Sequence, residues 1–180
     1  MLKIHIPASE YWDPKNECFV TSKEQDLTLE HSLVSISKWE AKWHKAFLKE
    51  DQKTDEEIRD YIRCMTLTQN VDPSVYDYIP PEVGEQIAKY INDPMTATTW
   101  FGEEQKKGGA KDTVTSELIY YWMIAMNIPM ECQKWHLNRL LTLIKVCEKK
   151  NNPGKMGKGD IMRRNRELNA ARRKAHKSRG

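Results

Sequence analysis

Five histidines and four cysteines are among the side chains in this sequence that could act as bases, nucleophiles or metal ligands. The cysteines stand singly, with no CxxC pair, so neither a zinc ribbon nor a thioredoxin-type redox site is indicated. We expect free thiols, and we expect three of them to be buried as small apolar groups on helices. Those three are Cys64, Cys132 and Cys147, and the fourth is Cys18.

The histidines show no catalytic or metal-binding spacing such as HExxH. His136 follows Cys132 by four residues, which on one helix face could place a base near a thiol. No third partner and no oxyanion donor can be identified for this pair. We therefore expect structural histidines, with two histidines of different helices meeting as metal ligands as the less favoured alternative. The five are His5, His31, His44, His136 and His176.

The glycines form no recognisable phosphate-binding loop. Gly102 and the pair Gly108–Gly109 match neither GxxxxGK[ST] nor GxGxxG. Residues 154–159, with the sequence GKMGKG, do not follow a predicted strand and are typical of a flexible basic linker. Because no catalytic residues, metal or cofactor are indicated, we predict a binding or assembly protein that is not an enzyme.

Charge is distributed unevenly along the 180 residues. The net charge is +3, yet residues 1–144 hold 16 basic and 23 acidic residues, whereas residues 145–180 hold 13 basic and 3 acidic residues. Six tryptophans and seven tyrosines indicate a buried core. The longest apolar stretch, residues 118–128, is far shorter than the roughly 20 residues of a membrane span. With no signal-peptide core at the N-terminus either, we expect a cytoplasmic protein without a membrane segment.

The elements that would position these side chains begin with a small β region, residues 1–30. Residues 2–6 alternate apolar and polar side chains, as a half-buried strand does. Two apolar runs, residues 11–12 and 18–20, flank the turn sequence at residues 13–16 and predict a hairpin.

A helical core of about five helices is predicted for residues 31–150, so the fold class is mainly α. Apolar residues at helical spacing run from Leu33 to Leu48, and residues 54–57 form a capping box before a second helix. Pro80 and Pro81 open a third helix. The fourth, residues 114–128 capped by Asp112 or Thr113, is apolar nearly all round and is predicted to be the central buried helix. The last starts near Met130.

A basic arm, residues 151–180, is predicted to follow the core. Its glycines and proline indicate a linker, after which Asp160 can cap a C-terminal basic helix. The apolar residues Ile161, Leu168 and Ala175 recur at a spacing of seven and form a thin stripe. A solvated tail, a segment that docks on protein and a nucleic-acid contact are all compatible with this pattern.

Two further features are candidate contact elements. Residues 93–111 form a long polar stretch that also contains Met95, Trp100 and Phe101, so it either folds over the body or meets a partner. Trp39 and Trp43 lie four residues apart on one helix face, where core packing is the simpler interpretation and partner contact the alternative.

A resemblance to known proteins lies in five segments of the sequence, residues 33–40, 43–44, 94–99, 116–123 and 135–144. These segments resemble small proteins encoded by tailed bacteriophages and prophages. The overall plan is similar to that of siphophage tail assembly chaperones, which are small helical cytosolic proteins that coat the tape measure protein before the tail tube polymerises. That family has no short catalytic signature, so no catalytic residue is carried over.

The resemblance implies a homo-oligomer in the host cytoplasm that binds the tape measure protein or other tail proteins. One alternative is a virion structural protein, such as a head–tail connector or tail completion factor, and another is a nucleic-acid-binding phage protein that uses the basic arm. The predicted partner-binding residues are Trp39, Trp43, Met95, Trp100, Phe101, Arg163, Arg164, Leu168, Arg172 and Arg173.

Overall fold

A computed structural model describes residues 1–13, 17–49, 51–98 and 113–151, together with Arg166 and Asn169. The chain divides into two units, Met1–Lys145 and Val146–Gly180. The first unit holds the strands and most of the helical residues. Of the second unit, the described part is residues 146–151 with Arg166 and Asn169, so the predicted C-terminal basic helix lies largely outside the described residues.

Four short strands form two separate antiparallel pairs. Strand β1 (Leu2–Ile6) pairs with β4 (Gln25–Leu29), and β2 (Ser9–Asp13) pairs with β3 (Cys18–Ser22). The predicted first strand and the predicted hairpin are confirmed, whereas β4 was not predicted. Ile4 lies opposite Leu27 in the β1–β4 register, and both side chains are buried. The β2–β3 hairpin is therefore an insertion between two strands that contribute to the core.

The described residues contain five α-helices, which confirms a mainly α fold. Two 3₁₀ turns, Pro73–Tyr76 and Met130–Lys134, precede α3 and α5. The helices are α1 (Leu33–Trp43), α2 (Asp55–Met65), α3 (Pro81–Asn92), α4 (Ser116–Ala125) and α5 (Leu137–Asn151).

Local capping determines where most of these helices begin. The predicted capping box before α2 is confirmed, because the Thr54 hydroxyl accepts from the Glu57 N–H while the Glu57 carboxylate accepts from the Thr54 N–H. Pro81 opens α3 as predicted. The prediction of Asp112 or Thr113 as the cap of α4 is wrong, since the Thr115 hydroxyl accepts from the Leu118 N–H.

Helix α1 ends five residues earlier than its apolar pattern predicts. His44 adopts a left-handed conformation with φ of 53°, and its N–H donates to the Glu40 carbonyl at 2.8 Å, which ends the helix after Trp43. The chain then turns back, so that the Phe47 ring packs against Tyr61 with a centroid distance of 4.0 Å. Phe47, which is half-buried, therefore packs on core side chains without belonging to the helix.

A single helix from Met130 onward was predicted, and this prediction is wrong. The chain leaves the 3₁₀ turn in an extended conformation at Trp135, and α5 starts only at Leu137. The break is stabilised by tertiary contacts, since Ser32 and His136 form an antiparallel bridge and the Leu137 N–H donates to the His31 carbonyl at 2.7 Å. Outside this bridge, the Arg139 guanidinium lies 4.3 Å from the centre of the Trp135 ring.

The core combines side chains of the β1–β4 sheet with one face of each helix. Helix α4 is not the central buried helix that was predicted, because only Ile119, Met123 and Ser116 of that helix are buried. Trp122 is half-buried, and Tyr121 and Ile124 are 64% and 67% exposed. Within the described residues, no helix is long and apolar enough to cross a membrane.

Candidate interaction surface

Helix α4 presents an apolar face to solvent. Tyr121 and Ile124 lie three residues apart, so they project from the same side of the helix, and Glu117 and Ala125 on that side are also exposed. The opposite side carries Ile119 and Met123 into the core, where α4 packs against α1. Apolar side chains on both sides of a helix are typical of one that contacts a second surface.

A buried carboxylate on α1 positions the start of α4. The two oxygens of Glu40 accept from the Ser116 N–H at 2.7 Å and from the Phe47 N–H at 2.8 Å. Ser116 is the first residue of α4, where free backbone N–H groups and the positive end of the helix dipole favour a negative charge. Glu40 therefore fixes the entry of α4 relative to α1, and with it the exposed side of α4.

The β2–β3 hairpin carries a second exposed apolar feature. Trp12 and Phe19 are cross-strand partners that are 50% and 67% exposed, with ring centroids 5.1 Å apart in an edge-to-face arrangement. Such pairs stabilise a two-stranded ribbon, which is marginal alone. The pair therefore has a structural role and is also available for contact.

Met95, a predicted contact residue, lies in an exposed turn with a defined conformation. Its φ is 49°, which is uncommon for a residue other than glycine, and its N–H donates to Asp93 Oδ1 at 2.7 Å. The side-chain amide of Asn138 donates to the carbonyls of Ile91 and Asp93 at 3.0 and 2.8 Å. The start of α5 therefore fixes the position of the turn that presents Met95.

The two predicted contact tryptophans have different environments. Trp39 is 1% exposed, and its indole N–H donates to the Glu57 carbonyl at 2.9 Å. Trp43 is half-buried, stacks on Trp39 with a centroid distance of 6.2 Å, and donates to Asp60 Oδ2 at 2.9 Å. Burial removes Trp39 from any contact surface of this folded unit, which is a correction to its assignment as a partner-binding residue.

Ion pairs beside the Trp39 and Trp43 rings join α1 and the segment after it to α2. Lys42 Nζ lies 2.5 Å from Asp60 Oδ1, and Lys45 pairs with the buried carboxylate of Glu57. The hydrogen bond from Lys45 lowers the pKa of Glu57, and the Thr54 backbone adds to this effect. The carboxylates of Glu57 and Asp60 are therefore engaged by side chains of α1 and of the segment that follows it.

The remaining predicted contact residues lie outside the described residues, so their contact roles stay predictions. They are Trp100, Phe101, Arg163, Arg164, Leu168, Arg172 and Arg173.

The thiol–base alternative receives no support from the geometry. Both ring nitrogens of His136 have other partners, since Nε2 lies 3.0 Å from the Tyr90 carbonyl oxygen and Nδ1 lies 3.3 Å from the Asn138 N–H. Burial raises the pKa of the Cys132 thiol, which is opposite to the change that activates a nucleophile. All four cysteines are free, as predicted, and no group of metal-ligating side chains occurs among the described residues.

Comparison with known proteins finds no family model, no curated protein and no solved structure that matches the chain. The resemblance to phage tail proteins therefore depends on the sequence segments named above and stays a prediction. The described residues contribute a candidate interaction surface formed by Tyr121 and Ile124 of α4, with Met95 and the Trp12–Phe19 pair as further exposed groups.

Proposed function

We propose that this chain is a non-enzymatic morphogenesis protein of tailed bacteriophages, a tail assembly chaperone that binds the tape measure protein in the host cytoplasm. The observation that carries the proposal is the exposed apolar side of α4, where Tyr121 and Ile124 are about two-thirds exposed. Exposing such side chains to water is unfavourable by about 25 cal/mol per Å² of apolar area. A partner that covers them would gain this free energy.

A long helical partner suits such a surface. One face of an amphipathic helix can lie along α4 and contact residues three and four positions apart. Each copy would bury only a small area, so the single contact would be weak. Several copies on one extended partner gain avidity through effective concentration, which a coating chaperone needs.

Co-purification from infected or prophage-induced cells tests this function. The tagged chain is isolated before lysis is complete, and finished virions from the same culture are analysed by mass spectrometry. The proposal requires the tape measure protein in the purified fraction and no copies of the chain in virions. A stoichiometric amount in virions would instead identify a head–tail connector or another tail component.

A further inference from the structure

Two buried histidines meet where the N-terminal part of the chain contacts the start of α5. The rings of His31 and His136, here called the histidine clasp, have centroids 5.0 Å apart in an edge-to-face arrangement. Both residues are almost completely buried. The backbone bonds at Ser32 and Leu137 join the same two segments, so the clasp is part of a continuous contact.

The hydrogen bonds of His136 define its neutral tautomer. The carbonyl oxygen of Tyr90 only accepts, so the proton resides on Nε2, which lies 3.0 Å from it. The Asn138 N–H points at Nδ1 from 3.3 Å, so Nδ1 accepts and carries no proton. His136 therefore caps the first turn of α5 with a ring nitrogen, at the end of the helix where the dipole disfavours a cation.

Among the described residues, the groups that contact the His31 ring directly carry no negative charge. Its Nδ1 is hydrogen-bonded to the Tyr61 hydroxyl from α2, and His136 faces it from the start of α5. Tyr90 of α3 meets His136 edge-to-face with ring centroids 4.9 Å apart. The nearby carboxylate of Glu30 is already engaged, because it accepts from the Tyr90 hydroxyl at 2.6 Å and pairs with the Met1 ammonium at 3.0 Å. Burial, with a smaller contribution from His136, lowers the pKa of His31 to about 4.

We propose that the histidine clasp is an acid-sensitive latch, which holds α5 on the N-terminal segment while His31 is neutral and opens when His31 takes up a proton. A cation on the buried His31 ring would face His136 across 5.0 Å without a counter-ion among these contacts. Opening would also move Asn138, whose side chain fixes the turn that presents Met95. Protonation of His31 would therefore change the position of the turn that presents Met95. This inference does not depend on the proposed function.

His31→Asn is the informative variant, because its Oδ1 can accept from the Tyr61 hydroxyl but cannot be protonated. His44→Asn is the matched control, since His44 is exposed and adopts the left-handed conformation that Asn tolerates. Urea unfolding is measured at pH 7.5 and pH 4.5 for the full-length wild type and both variants. The unfolded state binds the His31 proton more tightly than the folded state, so wild-type stability falls as pH decreases from about 6.5 to about 4.

In the wild type and in His44→Asn, the unfolding constant should rise about 100-fold more over this interval than in His31→Asn. Equal pH dependence in all three proteins would overturn the proposal. If His31→Asn does not fold at pH 7.5, the histidine ring signals of the wild type are followed by NMR. The latch requires His31 to titrate near pH 4 with a simultaneous change at Leu137 and Asn138, and titration near pH 6.5 without that change would contradict it.

Discussion

Trp39 joins α1 to α2 through both its ring and its indole N–H. The ring packs between Trp43 and Phe47, and the N–H donates to the Glu57 carbonyl. Glu57 in turn closes the capping box of α2 and pairs with Lys45. One side chain therefore couples the packing of α1 to the start of α2, so its removal should affect the whole unit.

Replacing Trp39 by Ala should destabilise the protein by about 3–5 kcal/mol, because a fully buried ring is lost and a cavity remains. Trp12→Ala is the matched control, since that ring is half exposed and packs mainly on Phe19, and it should cost about 1 kcal/mol or less. Urea unfolding followed by fluorescence measures both. Equal losses would contradict the burial of Trp39.

Sequence spacing places Trp39 beside Trp43 correctly, because four residues are about one helical turn. It does not reveal that His31 meets His136, since no local pattern connects residues that are far apart in the sequence. It also does not show that Glu40 reaches the start of α4. Both contacts arise only when α1 and its flanking segments are packed against distant elements.

At the scale of elements, α4 shows what an apolar pattern leaves undetermined. Its sequence is apolar on nearly all sides, which predicts full burial. The folded unit covers the side with Ile119 and Met123 and leaves the side with Tyr121 and Ile124 in water. A sequence indicates that a face is apolar, but it does not indicate whether the same chain or another one covers it.

Adjacent substitutions on α4 should separate its two sides. Met123→Ala should cost about 2–5 kcal/mol because its side chain is fully buried, whereas Ile124→Ala should change the free energy of unfolding by no more than about 0.5 kcal/mol. Thermal or urea unfolding of the two variants is compared with the wild type. A large loss in Ile124→Ala would show that this face is covered in the isolated chain.

Several element boundaries followed local sequence signals, although the predicted cap of α4 did not. The capping box at Thr54, the proline at the start of α3 and the alternation in β1 are contained in a few consecutive residues. Periodicity did not detect the early end of α1, which follows from the left-handed conformation of His44, or the interruption before α5, which depends on the contact of His136 with Ser32. Strand β4 was missed because its pattern is short and it pairs across the inserted hairpin.

At the scale of the whole molecule, the chain combines an acidic body with a basic C-terminal segment. Residues 1–144 carry a net charge of −7 and residues 145–180 a net charge of +10. Such a distribution favours self-association, in which the basic segment of one copy meets the acidic body of another. It also favours binding of the basic segment to an acidic partner. Both interactions weaken as the salt concentration rises. The contribution of the apolar side of α4 to partner binding does not depend on that charge. Binding through this side can therefore be tested without interference from salt.

The proposed function is tested most directly by measuring binding of the purified chain to the tape measure protein of the phage proposed to encode it. Wild type is compared with the uncharged double variant Tyr121→Ser/Ile124→Ser and with Ile58→Ser/Leu67→Ser, a matched control at two other exposed apolar residues. Circular dichroism first establishes that all three proteins are folded. We predict at least a tenfold loss of affinity in the double variant and none in the control, whereas equal binding by all three, or no binding by the wild type, would contradict the account.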